Sequence, residues 1–197
     1  LLKKEDDAIA HPAWTLVPQD KAQPAWSVHP RKNPDGNEAP TLQSMGSGGG
    51  AEESRTGILR SRSFSAPARL DFQICGHRGP PQAEPHDKNV VRLVAEDGTI
   101  LRTAFPPRSD ALQPVSWELA DLAGQNVHLE IVDGDEGKAY AWIGIAAVAR
   151  AGFTIADFAA EDEARQALRS LAPLLPHHAP SSLRDQLAPY LPPSPAP

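Results

Sequence analysis

Cysteine is nearly absent from this chain: Cys75 is its one thiol in 197 residues. A single thiol excludes an internal disulfide framework and a CxxCH haem attachment site within the segment. Long apolar runs are missing too, since none approaches the roughly 18 residues that suggest a membrane-spanning helix. Basic charge is not in excess. Against 19 Lys and Arg stand 25 Asp and Glu, for a formal net charge of −6. A nucleic-acid surface normally needs a clustered basic face, so no nucleic-acid partner is expected, and mild acidity is what plain solubility requires. The GxSxG elbow, the HExxH helix, the Walker loop and the GxGxxG turn are all absent. The segment is therefore expected not to be an enzyme in its own right. It opens Leu1-Leu2-Lys3-Lys4 without a signal-peptide pattern and reads as an internal or C-terminal piece of a larger protein.

Turn-formers, by contrast, are plentiful. The 21 Pro and 14 Gly exceed the usual combined share of roughly 12%. Many fall in residues 1–56, where His11-Pro12, Gln23-Pro24, His29-Pro30 and Asn33-Pro34 push the chain out of helical geometry. This lead is expected to be irregular, with Trp14 and Trp26 packed as plugs on a neighbouring core and a flexible loop at Ser44-Met45-Gly46-Ser47-Gly48-Gly49-Gly50. From residue 57 the pattern becomes strand-like. Leu70, Phe72 and Ile74 alternate with Asp71, Gln73 and Cys75. Val115, Trp117 and Leu119 alternate again, as do Val127, Leu129 and Ile131. Glu96-Asp97-Gly98 between two apolar runs is a hairpin signal, because Gly readily takes the positive φ of a tight turn. A last strand is expected within Ala139 to Ala149. Short strands with no helical period between them predict a mainly β fold, an antiparallel β-sandwich over residues 57–149. After Gly152 the apolar period lengthens: Ala164, Ala167, Leu168, Leu171 and Leu175 predict a helix. Ser182 to Asp185 resembles a capping box opening a second one. Residues 150–197 are thus expected to form a short α-helical appendage with a Pro-rich tail.

Two loops carry the polar chemistry. Asp133-Gly134-Asp135-Glu136-Gly137 packs three carboxylates between two strands. Hard cations want clustered oxygens on a flexible turn, which makes Asp133 and Asp135 the candidate calcium ligands; the alternative is an ordinary solvated turn. The loop is not an EF-hand, because the twelfth position is Gly144. Cys75-Gly76-His77-Arg78-Gly79 closes a strand, and no second Cys or His pair completes a metal site with it. The expected ligand contacts are His77, Arg78, Asp135, Glu136 and Trp142: carboxylates accept sugar hydroxyl protons, and an aromatic face stacks on a sugar ring. Trp117 belongs to the core by alternation, while Trp142 could sit in the core or at the mouth of a groove.

These residues carry a resemblance. Gly57-Ile58-Leu59-Arg60-Ser61, Leu70-Asp71-Phe72-Gln73-Ile74-Cys75-Gly76-His77 and Asn89-Val90-Val91-Arg92-Leu93 form one part of it. Ser116-Trp117-Glu118-Leu119, Leu129-Glu130-Ile131-Val132-Asp133 and Ala141-Trp142-Ile143-Gly144-Ile145 form the other. Together they resemble a galactose-binding-like (jelly-roll) module of the kind found beside levanase-type glycoside hydrolases, and most of all modules of planctomycete-type multidomain cytochrome proteins. The resemblance implies two packed antiparallel sheets, often with a structural calcium and sometimes a sugar site on the loops of one end. It also implies a non-catalytic accessory module of an extracytoplasmic (periplasmic or secreted) multidomain protein. Its partners would be a polysaccharide and the other domains of its parent chain. The rival expectation is a structural spacer docking onto a haem or catalytic domain of that parent.

Overall fold

The computed structural model describes residues 13–45 and 53–158. Eleven strands are assigned among them: β1 (Trp14–Leu16), β2 (Ser27–Lys32), β3 (Glu38–Gln43), β4 (Gly57–Ser61), β5 (Phe64–Ser65), β6 (Arg69–Gly76), β7 (Val90–Ala95), β8 (Ile100–Ala104), β9 (Ser109–Glu118), β10 (Asn126–Asp133) and β11 (Ile143–Ala149). Every pairing is antiparallel. One sheet runs β1-β4-β10-β7-β8 with β5 beside β10, and the other runs β2-β3-β11-β6-β9. This is the expected antiparallel sandwich of jelly-roll type.

Alternation explains the core. Leu129 and Ile131 of β10, Val91 and Leu93 of β7, Leu70, Phe72 and Ile74 of β6, and Trp117 of β9 are all buried in one cluster between the sheets, because odd and even positions of a strand face opposite ways. Phe72 meets Trp117 edge to face, with ring centroids 4.9 Å apart. Val115 is only partly buried but packs against the same cluster. The Asp97-Gly98 hairpin forms as expected. Gly98 takes φ +87°, and Asp97 accepts a hydrogen bond from the Thr99 N–H at 2.9 Å.

The expected module boundaries at 57 and 149 are both overrun. The lead supplies β1, β2 and β3, and Trp14 and Trp26 are buried in the main cluster. Its prolines misled because they fall where a strand tolerates them. Pro30 lies in β2, an edge strand, and an edge strand can do without a ladder donor. At the other boundary Ala151, Phe153, Ile155 and Phe158 enter the same core. Phe153 packs edge-on against both Trp14 and Phe64, at 5.2 and 5.5 Å. Helical backbone begins at residues 155–158, where the Thr154 N–H and hydroxyl both donate to the Asp157 carboxylate. The helices expected from Ala164 to Leu175 and from Ser182 lie outside the described residues.

The five-stranded sheet is strongly curled, for its two edge strands β2 and β9 approach each other without pairing. Its outer face therefore holds a second, smaller cluster of Cys75, Leu112, Trp142 and Ala146, with Ala39 and Met45 packed on it. The other edge, β9, carries Pro114, and β1 at the edge of the opposite sheet is three residues long. No helix among the described residues is long and apolar enough to cross a membrane.

Candidate functional site

The antiparallel registers bring several connections to one end of the sandwich. Gly76 closes β6 opposite Ile143 and Ser109, and Val132 near the end of β10 lies opposite Val90. The connections 77–89, 105–108 and 134–142 therefore cluster there. Gly76 is required for it. With φ +112°, an added Cβ would come within 2.8 Å of Ile143 Cα and nearer still to the Trp142 carbonyl oxygen. Both the dihedral and the close backbone approach exclude a side chain.

Asn89 ties two of these loops together. It is fully buried. Its side-chain NH2 donates to the His77 carbonyl at 3.1 Å, and its Oδ1 accepts from the Gly134 and Asp135 N–H groups at 3.0 and 3.2 Å. Asp135 is drawn into the same network, for it accepts from His86 Nε2 at 2.8 Å and from the Gly137 N–H at 3.1 Å, with Lys88 Nζ 3.8 Å away. Arg78 donates to the His86 carbonyl at 2.9 Å, pairs with Asp87 and lies 4.7 Å over the Phe105 ring. Arg108, held at φ +65°, donates to the Pro80 and Ala83 carbonyls. These bonds fix the loop end by cross-links between segments distant in sequence.

His77 lies at its centre. Only 5% of the residue is exposed. Its N–H donates to the Trp142 carbonyl at 2.9 Å, and its Nε2 donates to Asp110 Oδ1 at 3.0 Å. Its ring meets Tyr140 and Trp142 edge-on at 4.9 and 5.7 Å, while the buried Nδ1 has no hydrogen-bond partner. Tyr140 is 42% exposed and has φ +59°, a conformation unusual for a bulky residue. Its carbonyl accepts from the Gly79 N–H at 3.2 Å. The Ala141 N–H next to it donates to Glu53 Oε2 at 3.1 Å.

The expected contacts separate on inspection. Trp142 is 3% exposed and belongs to the second cluster, where the Arg31 guanidinium covers it at 4.4 Å; it is no platform. Arg78 is engaged by Asp87 and Phe105. Glu136 pairs with Lys21 at 2.8 Å in an exposed bridge, and that contact holds its carboxyl below the usual range. Such bridges add little to stability. Asp133 is buried, and burial pushes its carboxyl up to about 8 against the hydrogen bond from Ser44, with Asp135 and Glu53 pushing the same way. Burial also pushes the Cys75 thiol up to about 12, which leaves it without the thiolate character a nucleophile needs.

Calcium takes six to eight oxygens converging on one point. Here Asp133 is buried, Asp135 accepts from His86 and the Gly137 N–H, and Glu136 turns to Lys21. Among the described residues no three His, Cys, Asp or Glu side chains are grouped to hold a metal ion. In this arrangement Asp135 and Glu136 of the loop expected to hold calcium are held by protein donors. Sequence reasoning missed Tyr140, Asp110 and Asn89. Tyr140 stands between the acidic loop and Trp142, so the segment was singled out but the neighbouring aromatic was chosen. Asp110 and Asn89 act only through long-range contacts and carry no local signal.

No family model and no curated protein matches the chain. Among solved structures, the C-terminal extracellular domain of Mycobacterium tuberculosis EmbC is similar at 17% identity and a TM-score of 0.34, over 68% of this chain and 52% of that one. A Caldicellulosiruptor saccharolyticus module, CBM27-1, solved with mannohexaose, is similar at 11% identity and a TM-score of 0.39, over 69% and 88%. A carbohydrate-binding module of Cellvibrio mixtus lichenase 5A, solved with cellotriose, gives 10% and 0.35, over 68% and 93%. Likenesses this distant carry no argument about function, and the fold rests on the sheet order described above.

Proposed function

We propose that this sandwich is a non-catalytic accessory module that binds carbohydrate through its loop end, as part of an extracytoplasmic multidomain protein. The observation that carries the reading is Tyr140, a large aromatic side chain exposed at the end of a sandwich on a backbone that resists moving. Left-handed backbone at a non-Gly residue costs on the order of 1–3 kcal/mol and persists where surroundings impose it. Here the Gly79 N–H, the His77 ring and the Glu53 contact at Ala141 impose it. A rigid aromatic ring offers its face to the C–H face of a sugar at little entropic cost. Asp110, whose side chain is 71% exposed, is held by His77 Nε2 and has acceptor capacity left for a hydroxyl.

A spacer docking on a neighbouring domain would need a contiguous apolar face. The exposed large hydrophobics among the described residues are Leu16, Ile100, Phe105 and Tyr140, and they lie on β1, β8 and two separate loops. The test is calorimetric titration of wild type and Tyr140→Ala against a panel of plant and algal oligosaccharides. The expected result is binding that Tyr140→Ala removes while the melting temperature holds. Binding that survives the substitution, or no binding by wild type, would overturn the reading.

A further inference from the structure

Resting on that reading, we infer that Arg31 takes an oxyanion of the bound polysaccharide, a uronate carboxylate or a sulfate ester. Its guanidinium is held from two sides. It lies 4.4 Å over the Trp142 ring, and its Nε donates to Gln43 Oε1 at 2.9 Å. Gln43 is buried, and its own NH2 donates to the Met45 carbonyl at 3.0 Å, so the tether is itself fixed. The Arg31 Nη1 and Nη2 groups bond to none of the described residues, and neither is enclosed. A guanidinium presents its donors as a rigid fork that matches the paired oxygens of an oxyanion. Tying Nε and covering one face removes in advance the freedom that such a contact would otherwise lose.

Charge singles out the same residue. Arg60, Arg69, Arg78 and Arg102 each meet a carboxylate, while Arg62 and Arg108 end on backbone carbonyls. Arg31 is held by a neutral amide and an aromatic face alone, so its charge is left for a ligand. Arg92 also meets no carboxylate, but no hydrogen bond or ring contact holds it in place. Asp110 is the opposing charge. Burial dominates the raised Cys75 thiol, which Arg31 lowers by more than Asp110 raises it, and Asp110 is turned to His77. Packed rings join Arg31 to the proposed platform. From Tyr140 to His77, from His77 to Trp142 and from Trp142 to the guanidinium, the separations are 4.9, 5.7 and 4.4 Å. A short oligosaccharide covers that span.

The experiment titrates the whole chain at about 0.15 M ionic strength, where screening over about 8 Å leaves contact pairs and mutes distant charges. The probes are oligogalacturonate and a sulfated galactan oligomer, each against its uncharged counterpart, the methyl ester or the desulfated chain. At least one acidic form should bind about tenfold tighter than its counterpart, the order for one charge-assisted pair. Which form does so names the oxyanion. Arg31→Gln should make acidic and neutral forms bind alike. Arg31→Lys keeps the charge and a stem over Trp142 but not the fork, and should retain only a small part of the preference. Equal binding of acidic and neutral forms by wild type overturns this inference, leaves carbohydrate binding at Tyr140 standing and reduces Arg31 to a cover for Trp142. A preference kept in full by either variant overturns it as well, and so does capture of oligoglutamate in place of the acidic sugars. Failure to bind any sugar of this set or of the wider panel overturns both.

Discussion

The inter-sheet core and the loop end of this sandwich are built by opposite rules. The core is aliphatic and aromatic, made from strands whose alternation already assigns each residue its face. The loop end is polar and buried, and its bonds join residues far apart: Asn89 to Gly134 and Asp135, His77 to Asp110, His86 to Asp135 and Glu53 to Ala141. In the first region a substitution removes apolar contacts that act in every direction. In the second it leaves a desolvated group without its one partner, which is costly at that point and nowhere else. One region therefore fixes the global free energy, and the other fixes local geometry.

Substitutions in each region can break that comparison. The largest effect should come from the core. Leu129 is fully buried at the middle of β10, so Leu129→Ala should cost about 2–5 kcal/mol, read as a fall in the urea midpoint. Asn89→Ala should cost less, about 2–3 kcal/mol. Its signature should be local, with faster amide exchange at 77–89 and 134–142 and little change along β6, β10 and β11. Uniform acceleration across the core would mean that the two regions are one cooperative unit.

The sharpest diagnostic belongs to Asp133, and it reads a slope against pH rather than a midpoint at one pH. Its folded carboxyl keeps a proton up to about 8, whereas an unfolded aspartate loses it near 3.9. The folded state therefore binds more protons between those limits, and stability contributed by this group falls as pH rises through the window. Asp133→Asn should flatten the slope of stability against pH from about 4 to about 8 and make the variant the more stable protein at pH 9. Parallel wild-type and variant profiles would show that Asp133 is not titrating in this window.

The same division governs what could be read before folding. Leu70, Phe72, Ile74, Trp117, Leu129 and Ile131 were placed correctly because a period of two is local information. The strands of the lead were missed for a physical reason: propensity penalises Pro without knowing that Pro30 would fall on a sheet edge. Phe153 and Phe158 were assigned to an appendage because the period changes near them, yet they fill the open end of the core. At the loop end the reading reached His77 and the acidic turn but preferred Trp142 to Tyr140. Only the curl of the five-stranded sheet, which folds Trp142 under Arg31, decides between them, and curl is a property of the assembled sheet.

Pro30 and Pro114 stand in the two edge strands of that sheet, and they matter most when many copies crowd together. At high local concentration an open sheet edge invites a second chain to zip onto it. A proline within a strand supplies no amide hydrogen and interrupts the run of donors such a zipper needs. On the opposite sheet the three residues of β1 are too few to template one. Of the four sheet edges it is β8, five residues without a proline, that is left to meet another copy.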